Sequence, residues 1–237
     1  MNTRYITATL LLLVSEFFLL ELPPQDSVFW TAVVRIFAAI ILSIWYYKVR
    51  KPIPTLIDKL FFLTLLLPIL ISLSVMFYPP LGKNFNLIIH AAISCVWIVI
   101  FKLMGSKIPI KSISTKMLKI VPIYALIPIL FYIFSLHAVV PTIDKILLLS
   151  YSAIYLYTNT LASFLPINES NKFWISWGII LKAFANFLVF YGIFIEQLPW
   201  IGFIPRTLVV VARCILIVSM IDYFSSKQTT PVQGAVS

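Results

Sequence analysis

Eight apolar runs, each long enough to cross a hydrocarbon core of about 30 Å, restrict this chain to one kind of fold. They cover approximately residues 5–22, 28–47, 58–78, 85–104, 118–136, 143–164, 173–195 and 201–224. Inside lipid no water satisfies backbone amides and carbonyls, so runs of this length must be helices. Turn-forming stretches separate them: LPPQDS at 22–27, KPIP at 51–54, YPPLGKN at 78–84 and LPINESN at 165–171, where proline removes a helical donor. Short connections predict that successive helices are antiparallel neighbours. The expectation is an all-α polytopic transmembrane bundle of eight helices. It forms a single domain over residues 1–224, followed by a flexible cytoplasmic tail over 225–237.

Composition agrees, with 61% hydrophobic and 11% charged residues against about 25% charged in ordinary soluble domains. No polar segment is long enough for an attached catalytic domain. Cys95 and Cys214 both lie within apolar runs, as small hydrophobes rather than a disulfide framework or a thiolate metal site.

Basic residues set the orientation, because lysine and arginine are retained on the cytoplasmic side. One side collects Arg4, Lys48, Arg50, Lys51, Lys59, Lys102, Lys107, Lys111, Lys116, Lys119, Lys172 and Lys227, and the other only Lys83, Lys145 and Arg206. Both termini are therefore expected in the cytoplasm and the protein in the cell inner membrane. The net charge of +10 then faces anionic lipid headgroups. No folded basic module is present to bind nucleic acid. Arg4 ahead of an apolar run resembles a secretory signal, but Glu16 interrupts that run and ELPPQDS offers no small-residue cleavage site, which predicts an uncleaved first span.

Four ionisable residues fall in the middle of the spans. At about 1.5 Å per residue, Lys182, Glu16, Arg213 and Arg35 lie roughly 13 to 18 Å from the cytoplasmic ends. A charge at that depth costs about 2.5 to 3.5 kcal/mol on insertion scales, so such groups face the bundle interior and have partners. Glu16 and Arg35, on consecutive spans, are expected to form an intramembrane ion pair. Lys182 and Arg213 are then left with no acid. Three explanations remain open for them: a neutral lysine, snorkelling toward an interface, or an anionic ligand; a covalent use of Lys182 is a fourth.

Polar residues recur at helical spacing around these charges. Gly178, Lys182 and Asn186 share a stripe of the seventh span, where the glycine permits close approach of a neighbour. Ser152, Tyr155, Asn159 and Ser163 form a stripe on the sixth, flanked by Thr158 and Thr160, and Arg206 and Arg213 share a face of the eighth. These stripes either converge on a cavity or act as interhelical hydrogen-bond glue. The candidate ligand-binding residues are Lys182, Arg213, Asn186, Asn159 and Tyr155. His90 has no second ligand at metal spacing, so neither a metal nor a cofactor is expected. The chain lacks GxSxG, HExxH and a glycine-rich phosphate loop, and Glu16 is its one mid-span acid, which points away from enzymatic activity.

Two stretches carry resemblances. LLLSYSAIYLYTNTLASFLPINESNKFWISWGIILKAFANFLVFYGIF at 147–194 and NFNLIIHAAISCVWIVIF at 84–101 resemble small polytopic membrane proteins and sensor-kinase membrane modules common in Bacteroidota. That resemblance covers about a third of the chain and implies a membrane module whose output is carried by a separate signalling or membrane-protein partner. AIYLYTNTLASF at 153–164 and the eight-helix plan look similar to the lysoplasmalogenase-type membrane hydrolases. There the matching positions of a serine-aspartate-serine motif are Thr158, Asn159 and Thr160, and an asparagine cannot supply the carboxylate, which implies an inactive copy. A chromophore reading makes Lys182 a retinal Schiff base with Glu16 as counterion beside Trp177 and Phe184, but places the lysine on the penultimate span, whereas the microbial pattern has it on the last. The absence of an internal repeat counts against an inverted-repeat transporter. The expectation is a non-enzymatic inner-membrane protein that binds a small anionic or lipidic ligand or couples to a membrane partner. A hydrolase, a small-molecule transporter and a retinal protein are the alternatives.

Overall fold

A computed structural model describes residues 3–19, 22–51, 55–77, 82–108, 142–194 and 203–228. Among these residues it contains seven helices and no strand: α1 Thr3–Leu19, α2 Pro24–Arg50, α3 Leu56–Phe77, α4 Gly82–Leu103, α5 Thr142–Ser163, α6 Glu169–Phe194 and α7 Phe203–Gln228. The span expected at 118–136 lies outside the described residues. Five helical segments are long and apolar enough to cross a membrane: Asp26–Arg50, Leu56–Phe77, Phe85–Leu103, Glu169–Gly192 and Phe203–Ser226. The chain is therefore a multi-pass membrane protein. α1, with 17 residues, and α5, with its serines, tyrosines, threonines and asparagine, are not among the five.

Local chemistry sets the helix ends. Pro24 opens α2 after the extended Pro23, a position where the missing N–H costs nothing. α2 ends at Lys51, whose extended backbone is the conformation that the following Pro52 favours. Thr55 caps α3, its Oγ1 accepting a 3.1 Å bond from the Asp58 amide, and Asn168 caps α6 through a 2.7 Å bond from the Asn171 amide. α4 ends in a Schellman turn: the Ser106 and Gly105 amides donate to the Phe101 and Lys102 carbonyls, and Gly105 takes φ +91° as its lack of a Cβ allows. α7 continues past the expected boundary at 224 to Gln228, and within its last turns the Ser225 and Ser226 hydroxyls bond back to the Ile221 and Tyr223 carbonyls.

The helices form a closed ring. Each of α1 to α6 packs on its successor among the described helices, and α7 returns to both α1 and α2. One half of the ring is solid, filled by Trp45, Tyr46, Phe61, Trp97, Phe101 and residues packed on them. Phe61 meets Tyr46 and Trp97 edge-on, with centroids 4.7 and 5.5 Å apart, the geometry that aromatic quadrupoles favour. The solid half draws on the N-terminal parts of α1, α3 and α6 and the C-terminal parts of α2, α4, α5 and α7. Successive helices therefore alternate in direction, except that α4 and α5 run the same way, joined by a 2.7 Å bond from Ser106 Oγ to the Leu161 carbonyl. The start of α1 and the end of α7 lie at this same solid end.

An ion-pair cluster locks that end. Asp58, fully buried, accepts Arg50 Nε and Nη2 at 2.9 and 3.0 Å, Tyr46 Oη at 2.6 Å and Thr55 Oγ1 at 2.6 Å. The Arg50 guanidinium lies 4.1 Å from the centre of the Phe224 ring, so the α2–α3 hairpin is also tied to α7. Between α6 and α7 the helices are nearly in backbone contact: a Cβ placed at Gly178 meets Leu216 Cγ at 2.7 Å.

Candidate functional site

Among the described residues, the other half of the ring holds a small core of Leu87, Leu148, Tyr151 and Phe190 beside an open space. A cavity of about 670 Å³ is walled by the second halves of α1, α3 and α6 and the first halves of α2, α4 and α7. Much of its wall is aliphatic, as at Leu13, Val34, Ile71, Val189 and Val209, and its polar groups come from all six helices: Thr9, Glu16, Arg35, Ser72, Asn86, His90, Asn186, Arg206 and Arg213. The volume lies within the range of about 300 to 1,000 Å³ typical of small-molecule sites.

Glu16 organises the charges. Its carboxylate, 4% exposed, accepts a 2.8 Å hydrogen bond from Arg35 Nε through Oε1. Arg206 Nη1 stands 2.6 Å from the same oxygen, a close charge contact outside hydrogen-bonding alignment. One acid on α1 thus serves cations on α2 and α7. Arg206, expected with the outer loops, lies one turn inside α7, and its long side chain reaches the acid.

Arg213 lines the same wall two turns further along α7. The ion pairs among the described residues are Arg35 and Arg206 with Glu16, Arg50 with Asp58, and Lys172 with Glu169. Neither Arg213 nor Lys182 has a carboxylate within 4.0 Å among the described residues. The cavity wall therefore presents three guanidiniums to one carboxylate.

On α6, beside α7, Asn186 fixes the histidine. Its Nδ2 donates to Tyr151 Oη at 2.7 Å and lies 3.2 Å from His90 Nδ1. With Nδ2 as the donor, Nδ1 must be the unprotonated ring nitrogen, and the imidazole keeps its hydrogen on Nε2. Phe190 packs edge-on to both rings. Asn186 was legible as a member of a polar stripe. His90, read as isolated, is its partner, and no sequence signal connects residues on α4 and α6.

The five residues expected to bind ligand are divided by the structure. Asn186 and Arg213 line the cavity; Lys182, Asn159 and Tyr155 are not on its wall. Lys182 is 9% exposed and lies one turn before Asn186 on α6. Asn159 and Tyr155 are buried on α5, with Asn159 Nδ2 donating to Tyr155 Oη at 3.2 Å. Successive i, i+4 positions drift by about 40° around a helix, which is how Lys182 and Asn186 share a stripe while only one meets the cavity. Thr158 and Thr160 bond back to the Ile154 and Leu156 carbonyls at 2.8 Å. No group of three or more potential metal ligands occurs among the described residues. Comparisons with protein-family models, curated proteins and solved structures gave no match.

Proposed function

We propose that this is a non-enzymatic protein of the inner membrane that binds a small anionic or lipidic ligand in the cavity of its helical ring. The observation that carries the reading is Arg213, a guanidinium on the cavity wall with no acid among the described residues, while Glu16 is already shared by two other arginines. A charge within a membrane span that is left uncompensated is costly, and an anion entering the cavity compensates it. The aliphatic part of the wall suits an acyl or other apolar tail. In this reading the solid end, with Lys48, Lys51, Lys59, Lys102, Lys107 and Lys172, faces the cytoplasm by the retention of basic residues. The cavity then lies in the outer half of the membrane.

The geometry of α5 weighs against the hydrolase alternative, since the hydroxyls of Thr158 and Thr160 are spent on their own helix and Asn159 is engaged with Tyr155. A Schiff-base role for Lys182 is disfavoured by its place off the cavity wall. A sensor-like or accessory role, with a separate membrane partner reading the occupied state, belongs to the same proposal and rests on the resemblance of residues 84–101 and 147–194 to sensor-kinase membrane modules.

Mass spectrometry of small molecules that co-purify with wild type, Arg213→Gln and Lys182→Met tests the proposal. An anionic species retained by wild type and reduced at least tenfold in Arg213→Gln is the expected result. Indistinguishable profiles from wild type and Arg213→Gln would overturn it.

A further inference from the structure

We infer that the ligand's head is a dianion, a phosphate or phosphomonoester, because the cavity wall carries two positive charges that the described protein does not neutralise. This rests on the ligand-binding reading above and specifies its chemistry.

The chain has eight acidic residues. Glu16 is on the cavity wall. Asp58 is saturated at the other end of the bundle by Arg50, Tyr46 and Thr55. Glu169 is paired with Lys172 at the same end and is highly exposed. Asp26 and Asp144 lie in the first turns of α2 and α5, Asp222 is exposed near the end of α7, and Glu21 and Glu196 lie outside the described residues. Three guanidiniums less one carboxylate leave two charges on the wall, Lys182 lying off the lining and outside this count.

A monoanionic head leaves one of those charges uncompensated, whereas a phosphomonoester, carrying close to two negative charges above its second pKa of about 6, neutralises both. Guanidinium is also the side chain best matched to phosphate, because its planar fork donates two parallel bonds to two oxygens. His90 lines the same cavity. Two separate monoanions would balance the charge equally, so stoichiometry belongs in the test.

The experiment titrates the full-length protein in a neutral detergent at pH 8 by calorimetry, using dodecyl phosphate, dodecanoate, dodecanol and inorganic phosphate as probes. Dodecyl phosphate is expected to bind one to one and at least tenfold more tightly than dodecanoate, with dodecanol weaker than either. Arg213→Gln should reduce that preference below threefold, and Arg213→Lys, which keeps the charge, should retain most of it. The wild-type comparison holds even where a variant fails to fold. Inorganic phosphate binding as tightly as dodecyl phosphate supports the dianion and assigns a soluble source; a tenfold advantage for dodecyl phosphate supports it and assigns a lipid-like one. Equal affinity for dodecanoate and dodecyl phosphate, two dodecanoates per protein, or dodecanol matching the phosphate would each overturn the dianion while leaving a ligand-binding cavity. Failure of all four probes to bind would overturn both the dianion and the reading on which it rests.

Discussion

Arg206 Nη1 stands 2.6 Å from Glu16 Oε1, the same oxygen that accepts Arg35 Nε at 2.8 Å. Two helices far apart in sequence thereby meet through one atom, and the ring of helices closes over the half of the bundle that holds the cavity. Packing between α1 and α7 is sparse compared with that between α6 and α7, so the acid holds a seam that apolar contact leaves weak.

Glu16→Gln should therefore destabilise the protein beyond the loss of one hydrogen bond. The amide keeps the shape but leaves both guanidiniums without a counter-charge. Removing one partner of a fully buried pair costs about 3 to 5 kcal/mol; Arg35 is one-third exposed, which brings the expectation to about 2 kcal/mol. For a chain of this size that corresponds to a fall of about 4 to 8 °C in Tm. Adding Arg206→Gln should cost less than the sum of the two single changes, because the second removes a cation that the first stranded. Thermal unfolding in neutral detergent provides the measurement, and additive losses would argue against the shared acid.

At the solid end, Asp58 accepts four hydrogen bonds with no exposure to solvent. Asp58→Ala strands Arg50 and leaves the Tyr46 hydroxyl unmatched, an expected loss of about 3 to 5 kcal/mol. Arg50→Lys should recover only part of the wild-type stability. A single ammonium cannot reproduce the two-pronged contact with both carboxylate oxygens or lie flat against Phe224, and the expected cost is about 1.5 to 3 kcal/mol. Equal stability of Arg50→Lys and wild type in chemical unfolding would contradict the structure.

The helices were legible because lipid imposes length and apolarity on every crossing segment, and those are properties of local sequence. The expected boundaries fell short of α2 and α7 because Lys48, Arg50, Ser225 and Ser226 dilute the apolar signal while the backbone continues in the same helix. The site was legible only as far as one helix carries it. Asn186 and Arg213 could be picked out because polar groups in apolar runs stand out. His90 with Asn186 and Arg206 with Glu16 require knowledge of which helices meet, which no periodicity encodes. Thr55 and Asp58 were a missed local signal, since a threonine three residues before an acid at a helix start is the spacing of a capping pair.

Gly178 provides a steric test of the α6–α7 contact. A methyl group there meets Leu216 Cγ at 2.7 Å and Cδ2 at 2.8 Å, so Leu216 must move. Gly178→Ala is expected to cost about 1 to 3 kcal/mol from overpacking, partly offset by the better helix propensity of alanine. Leu216→Ala alone leaves a cavity in the core. The double variant should be more stable than the sum of the single changes predicts by about 0.5 to 3 kcal/mol, because the new methyl group occupies space that the leucine vacates. A coupling energy of zero would place the helices further apart than described.

His90 offers the most direct reading of the cavity itself. Asn186 Nδ2 faces His90 Nδ1 at 3.2 Å and donates to Tyr151 Oη at 2.7 Å, and a donor amide fixes the neutral imidazole in its Nε2–H form. Nitrogen-15 chemical shifts report the tautomer, and the chain has only two histidines, so His137→Gln isolates the His90 signals. Wild type should show an unprotonated Nδ1 and a protonated Nε2. Asn186→Ala removes the donor and should give a mixture of tautomers, together with a loss of about 1 to 3 kcal/mol from the stranded Tyr151 hydroxyl. A protonated Nδ1 in wild type would mean that the Asn186 amide is turned, with its oxygen toward the histidine.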